Sequence, residues 1–291
     1  MRLSRVTYQN NQWIASVNQE ADVVALHFQV DAYQDAMIEI IAGVKQLSLD
    51  KAASKQVSAE EVDFLPPIVR PSKNILCIGK NYRAHAKEFA RSGFDSSQSG
   101  KGDEVPQHPI VFSKAPCTMT GAFSNICPPW DITQKVDYEA ELGVIIGREA
   151  RHVQNAKAYD YVWGYTIIND VTARDLQAQH KQWLLGKSID TFCPIGPSIV
   201  SKDEVDASNL EVNCYVNNEL RQHANTCDLI FDIPTIIETI SASMTLYPGD
   251  IIATGTPAGV GIGFDPPKFL TTGDVVEISI STLGSIKNKV I

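Results

Sequence analysis

The sequence lacks most of what would place it on a nucleic acid, in a membrane or in a disulfide-stapled scaffold. It has no basic patch: 25 Lys and Arg stand against 34 Asp and Glu, a formal net charge of −9. Nucleic acids and anionic membranes need clustered positive charge, so neither is expected as a partner. No apolar run approaches the ~18 residues of a spanning helix, and Met1-Arg2-Leu3-Ser4-Arg5-Val6 lacks the apolar core of a signal peptide. The six cysteines, at 77, 117, 127, 193, 214 and 227, form no Cys-x-x-Cys pair and no tight zinc spacing. They are expected to be reduced, buried residues of a cytoplasmic protein. The stretch Asp250-Ile251-Ile252-Ala253-Thr254-Gly255-Thr256-Pro257-Ala258-Gly259-Val260-Gly261 reads as a strand entering a glycine-rich turn. It has neither the Gly-Lys-Ser/Thr of a P-loop nor the helix of a dinucleotide fingerprint, which leaves its hydroxyls and amides to hold a small carboxylate.

What is present is acidic and apolar together. In Val136-Asp137-Tyr138-Glu139-Ala140-Glu141-Leu142-Gly143-Val144-Ile145-Ile146-Gly147 the two glutamates are two apart, so on a strand they share one face at the mouth of a buried run. A solvated face can also carry two acids, but like charges held near a core raise each other's pKa unless a cation neutralises them. A third oxygen ligand follows the apolar strand Val162-Trp163-Gly164-Tyr165-Thr166-Ile167-Ile168: Asp170, at its carboxyl end, just where a helical pattern opens at Val171 to Gln177. Asp170 also suits a helix cap. Glu139, Glu141 and Asp170 together form a hard, all-oxygen set that fits Mg²⁺, Mn²⁺ or Ca²⁺ better than Zn²⁺.

The 291 residues, 44 % of them hydrophobic, allow one large domain or a large one with a small one. Short strands at Arg5–Tyr8 and Trp13–Val17 and a helical pattern at Gln34–Leu47 precede the Pro-rich Phe64-Leu65-Pro66-Pro67-Ile68-Val69-Arg70-Pro71. That hinge suggests a small N-terminal α+β domain, residues 1–66, and a catalytic domain, residues 67–291. In the second part, Ile75–Ile78 is a buried strand opening into Lys80 to Glu88, where His85 and Glu88 lie three apart on one helical face. There the carboxylate can orient the imidazole as a base. Residues 91–107 are polar and are expected to form an exposed loop of the kind that serves as a lid. Lys187, between an apolar pair and a turn-rich segment, is expected to be semi-buried and to need a carboxylate, a bound anion or a depressed pKa.

Five motifs, in this order, resemble the fumarylacetoacetate hydrolase superfamily: Gly79-Lys80-Asn81-Tyr82 with His85 and Glu88; Asp137-Tyr138-Glu139-Ala140-Glu141-Leu142; Asn169-Asp170-Val171-Thr172-Ala173-Arg174-Asp175; Gly186-Lys187; and Thr254-Gly255-Thr256-Pro257. Lys181 to Lys187 and Leu283 to Val290 look like the subgroup of fumarylacetoacetate hydrolase domain-containing protein 2, although the polar insertion at 91–106 is longer than in those relatives. The resemblance implies an α+β, β-rich fold, a mixed β-sheet roll, assembled as a homodimer. It implies Mg²⁺ or Mn²⁺ on the residues matching Glu139, Glu141 and Asp170, with His85, Glu88 and Lys187 catalytic and Tyr82, Gln177 and Thr256 against the substrate. The implied reaction is hydrolysis of a C–C bond in a small anionic 2,4-dioxo acid, of acylpyruvate or fumarylacetoacetate type, through an enolate stabilised by the metal. Tautomerisation or decarboxylation of oxaloacetate uses the same site. A catalytically silent metal-binding scaffold would tolerate loss of His85, Glu88 and Lys187, and their joint presence argues against it.

Overall fold

The computed structural model describes residues 1–18, 22–31, 35–47, 54–94 and 105–291. Strands β1 (Arg2–Tyr8), β2 (Asn11–Val17), β3 (Val23–Val30), β4 (Lys55–Ser58) and β5 (Asp63–Leu65) come first, with helix α1 (Ala36–Ile41) between β3 and β4. β6 (Ile75–Gly79) leads into α2 (Arg83–Arg91); β7 (Ile110–Lys114), β8 (Met119–Gly121), β9 (Val136–Asp137), β10 (Ala140–Ile146) and β11 (Val162–Asn169) follow. β12 (Thr172–Ala173) runs straight into α3 (Arg174–Gln179) and α4 (Leu184–Lys187). The remainder comprises β13 (Cys193–Ser201), β14 (Glu211–Val216), β15 (Glu219–Asn225), α5 (Ile233–Ser243), β16 (Ile251–Ala253), β17 (Val275–Ile280) and β18 (Gly284–Lys289).

One large mixed sheet organises the chain, in the order β4-β3-β2-β1-β13-β11-β10-β16-β6-β7, with β5 beside β1 and β8 beside β13. A smaller sheet, β15-β14-β17-β18, covers part of it. Every residue of β10 is buried, which is what its unbroken apolar run requires of a strand covered on both faces. Leu142, Val144 and Ile146 join the larger core cluster while Ile145 joins a second one on the other side. Strand-rich and mixed, the architecture is the α+β roll that the motifs imply.

The division after Pro66 falls between β5 and β6, two strands of this same sheet, and β1 pairs with β13 at Arg2↔Val200 and Leu3↔Ile199. The helix expected over Gln34–Leu47 is confined to Ala36–Ile41, because Gly43 takes a left-handed φ of +71° that stops it. The helical pattern expected from Val171 begins later, at Arg174, since Thr172 and Ala173 pair with Asp137 and Val136. The cysteine expectation also needs correction. Cys77, Cys193 and Cys214 are buried and free, but Cys117, Cys127 and Cys227 are free and exposed, because they sit in 3-10 turns (Cys117, Cys227) or irregular backbone (Cys127) rather than in the strands that their apolar neighbours suggest. Residues 95–104 of the expected lid lie outside the described residues. Among the described residues no helix is long and apolar enough to cross a membrane.

The neighbouring strands β11 and β13 come close at Gly164, where an added Cβ would stand 2.2 Å from the carbonyl oxygen of Val200. A backbone atom in a paired strand cannot step aside as a side chain can. Gly164→Ala is therefore expected to cost on the order of 1–3 kcal/mol, read as a lower urea midpoint at unchanged slope. An unchanged midpoint would show that the two strands separate freely there.

Candidate active site

Antiparallel pairing of β10 with β11 sets Ala140 opposite Asn169 and Glu141 opposite Ile168, so the entrance of one strand meets the exit of the other. Across that junction the backbone N–H of Asp170 donates to the Glu139 carbonyl at 2.9 Å, and the Asn169 side chain accepts from the Glu139 N–H at 3.0 Å. Carboxylate oxygens of Glu139, Glu141 and Asp170 thereby lie within 4.8 Å of one another, and all three residues are buried. β16 runs antiparallel to β10 and parallel to β6, which brings Thr256, Gly79 and Lys80 to the same end of the sheet. The resulting cleft encloses about 300 Å³ counting its open mouth, and Lys80, His85, Glu139, Glu141, Gln177, Lys187 and Thr256 are among its lining residues.

Lys187 is not semi-buried but 1 % exposed. Its ammonium donates to Glu139 Oε2 at 2.6 Å and to Asp170 Oδ2 at 2.8 Å. Burial alone would lower its pKa, but the charges of Asp170 and Glu139 outweigh that and raise it. Of the three ways to accommodate the lysine, the structure uses the carboxylate, and Lys187 stays a cation able to stabilise negative charge or donate a proton. It reaches the carboxylates because α4 packs directly on α3: a Cβ on Gly186 would fall 2.5 Å from the Gln177 nitrogen.

His85 Nδ1 lies 3.1 Å from Glu88 Oε2, as their spacing predicts, and Glu88 Oε1 accepts the Gly259 N–H at 2.9 Å. The carboxylate is thus fixed from two sides and holds the imidazole with Nε2 left for another partner. Tyr82 is the one expected substrate contact that the structure does not bring to this cleft. It lines a separate surface hollow with His223, Cys227 and Asp228. Burial first, and then the charge of Glu141, raises its phenol pKa, so the hydroxyl stays protonated.

Three charged residues at the site were not singled out by spacing. Lys114, at the end of β7, is fully buried with its ammonium 2.7 Å from Asp170 Oδ1. Arg174 joins Asp137, at 2.9 Å, to Glu139, at 2.6 Å. Asp137 in turn accepts the N–H groups of Gly261 and Ile262 at 2.6 and 3.2 Å. Arg174 and Asp137 stand in the quoted motifs, but their pairing across 37 positions has no local signature, and Lys114 looks like the last residue of an ordinary strand.

The donor set fits a hard divalent cation. Four buried carboxylates, Asp137, Glu139, Glu141 and Asp170, share the site with four buried cations, Lys80, Lys114, Arg174 and Lys187. Two further positive charges would leave the site positive, which suits an anionic substrate. Glu139 has cations of its own: burial pushes its pKa up, but Lys187 and Arg174 pull it down to about 2. Glu141 does not fare so well. It accepts the Gly255 N–H at 2.8 Å, yet burial first, and then the charges of Asp170 and Glu139, push it well above the usual carboxylate range.

A carboxyl raised on folding favours the fold while it is protonated. Its contribution is complete below the ordinary value of 4.5 and is lost as pH rises through the folded value. In EDTA the melting temperature is therefore expected to fall above pH 4.5 from this group, and the gain on adding Mn²⁺ should be larger at pH 8 than at pH 5. Glu141→Gln should flatten both trends. A gain independent of pH, or one retained in that variant, would contradict the assignment of Glu141.

The chain resembles known proteins over most of its length. Residues 74–291 match the family model described as "Fumarylacetoacetate (FAA) hydrolase C-terminal". The chain is 48 % identical over 242 residues to the oxaloacetate tautomerase YisK of Bacillus subtilis (strain 168), covering 83 % of this chain and 77 % of that protein. Its fold superposes on the fumarylacetoacetate hydrolase of psychrophilic Exiguobacterium antarcticum with a TM-score of 0.84 at 39 % identity, covering 100 % and 99 % of the two chains. A maleylpyruvate hydrolase from Sphingobium sp. SYK-6, solved in complex with manganese (II) ion and pyruvate, gives a TM-score of 0.77 at 30 % identity with the same coverage.

Proposed function

Given that the chain belongs to the fumarylacetoacetate hydrolase family, we propose that it interconverts the enol and keto forms of oxaloacetate, using a divalent metal held by Glu139, Glu141 and Asp170. The observation that carries this reading is the Lys187 ammonium seated between two of those carboxylates in the same cleft that His85 lines. Mg²⁺ or Mn²⁺ bound there would supply Lewis-acid charge to oxygens on which an enolate builds negative charge. The remaining chemistry falls to the chain. His85, oriented by Glu88, takes the proton from C3, and the C–H pair forms the C2–C3 double bond as the carbonyl π pair moves onto the 2-oxygen, where the Lys187 ammonium meets the charge. Return of the proton from the imidazolium to that oxygen gives the enol and restores His85. Gln177 and Thr256, both buried in the cleft wall, suit the carboxylate end. Thr256 is itself held by a hydrogen bond from Gln222 Nε2 at 2.8 Å.

Similarity to the Bacillus subtilis tautomerase supports this reaction ahead of C–C hydrolysis. Hydrolysis of an acylpyruvate is the second reading, favoured by the His85–Glu88 pair, which can polarise a water as well as take a carbon-bound proton, and by the maleylpyruvate hydrolase likeness. Decarboxylation of oxaloacetate needs the same stabilised enolate and no base. We also infer a cytoplasmic homodimer, which sedimentation of the purified protein tests.

The reactions separate in parallel assays that follow enol absorbance, CO₂ release and acylpyruvate cleavage. Tautomerisation is expected to dominate, and His85→Ala is expected to lower it by about 10² to 10⁴. If His85→Ala keeps tautomerase activity within threefold, proton transfer by His85 is wrong; if acylpyruvate cleavage is the faster wild-type reaction, hydrolysis takes first place.

A further inference from the structure

Lys114 is a buried cation that the chemistry above leaves unused. It is 0 % exposed, it is not among the residues lining the cleft, and its ammonium makes three contacts. It donates to the Val171 carbonyl at 3.0 Å and to the Lys187 carbonyl, and it stands 2.7 Å from Asp170 Oδ1 as an ion pair that is not aligned as a hydrogen bond. Fully buried outside the cleft and held by two carbonyls and a carboxylate, it does not face a substrate.

The three contacts join parts of the site that no local sequence pattern connects. One faces a carboxylate that belongs to the proposed metal site; another holds the backbone that follows it. The third satisfies a carbonyl at the end of α4, a helix of one turn whose last residue is Lys187. Asp170 Oδ1 faces Lys114 while Oδ2 faces Lys187.

We propose that Lys114 is a positioning residue: it turns Asp170 so that Oδ2 alone is presented to the metal position, and it anchors the backbone of Lys187 so that the two lysines grip opposite oxygens of one carboxylate. The inference rests on the proposed metal site. Its distinguishing feature is the sign of its effect. Removing a positive charge near a cation site, taken as electrostatics alone, would tighten metal binding; removing a group that orients a ligand weakens it, commonly by about 10- to 100-fold.

Two variants test this. Lys114→Met removes charge and donors; Lys114→Gln keeps donors for the carbonyls and removes the charge facing Asp170. Titration of the metal-free protein with Mn²⁺, followed by electron paramagnetic resonance, is expected to show affinity about 10- to 100-fold weaker in both. In metal-saturated assays kcat should fall at least tenfold and KM by less than threefold in either direction. Affinity that is unchanged or tighter overturns the proposal, even where the melting temperature drops, as does a loss confined to KM. Failure of both variants to fold also overturns it, because Lys114 would then serve the fold rather than the site. A wild-type protein that does not bind Mn²⁺ instead removes the metal-dependent function on which the inference rests.

Discussion

Three carboxylates forced together inside the protein are the constraint on which the rest of the site depends. Their oxygens lie within 4.8 Å of one another, out of water, where like charges repel strongly and solvation is lost. Lys187 answers for Glu139 and Asp170, and Lys114 and Arg174 share the load from behind. Glu141 is left with an amide hydrogen bond and a raised pKa. The site as built is therefore short of positive charge at the Glu141 corner, and a divalent cation is the complement that this corner lacks.

The fold exists in a form that makes this crowding reproducible. β10 must be covered on both faces to bury its apolar residues, and its pairing with β11 then fixes where Glu139, Glu141 and Asp170 fall. β16 and β6 add the Thr256 turn and the start of α2, with His85 and Glu88, to the same end. Stability and function are coupled through register: a slip of one residue in β10 would send Glu141 to the opposite face. The same packing that drives folding pays the electrostatic cost of the site.

Much of this was legible in the residues. Glu139 and Glu141 stood out because alternation of two is a strand signature and because the run after them is apolar; His85 and Glu88 because a spacing of three is a helical one. Asp170 was legible from the strand ahead of it. Lys114 was not, since a lysine closing a strand carries no mark of burial until β7 is placed. Arg174 and Asp137 appear in recognisable motifs, yet the ion pair between them depends on Thr172 and Ala173 pairing with β9 rather than continuing a helix. Tyr82 shows the opposite failure. The family resemblance implied the cleft, but its position at the entrance of α2 turns it toward another hollow. The halt of α1 at Gly43 and the exposure of three cysteines likewise depend on turns that local hydrophobicity does not describe.

If the carboxylate cluster is a metal site with Lys187 as its resident counter-cation, diffraction from crystals soaked in Mn²⁺ and oxalate will show it. One anomalous peak is expected within coordination distance of Glu139, Glu141 and Asp170, with the Lys187 ammonium turned from the carboxylate pair toward the oxalate. A peak elsewhere, or no peak while Lys187 still bridges Glu139 and Asp170, would contradict it.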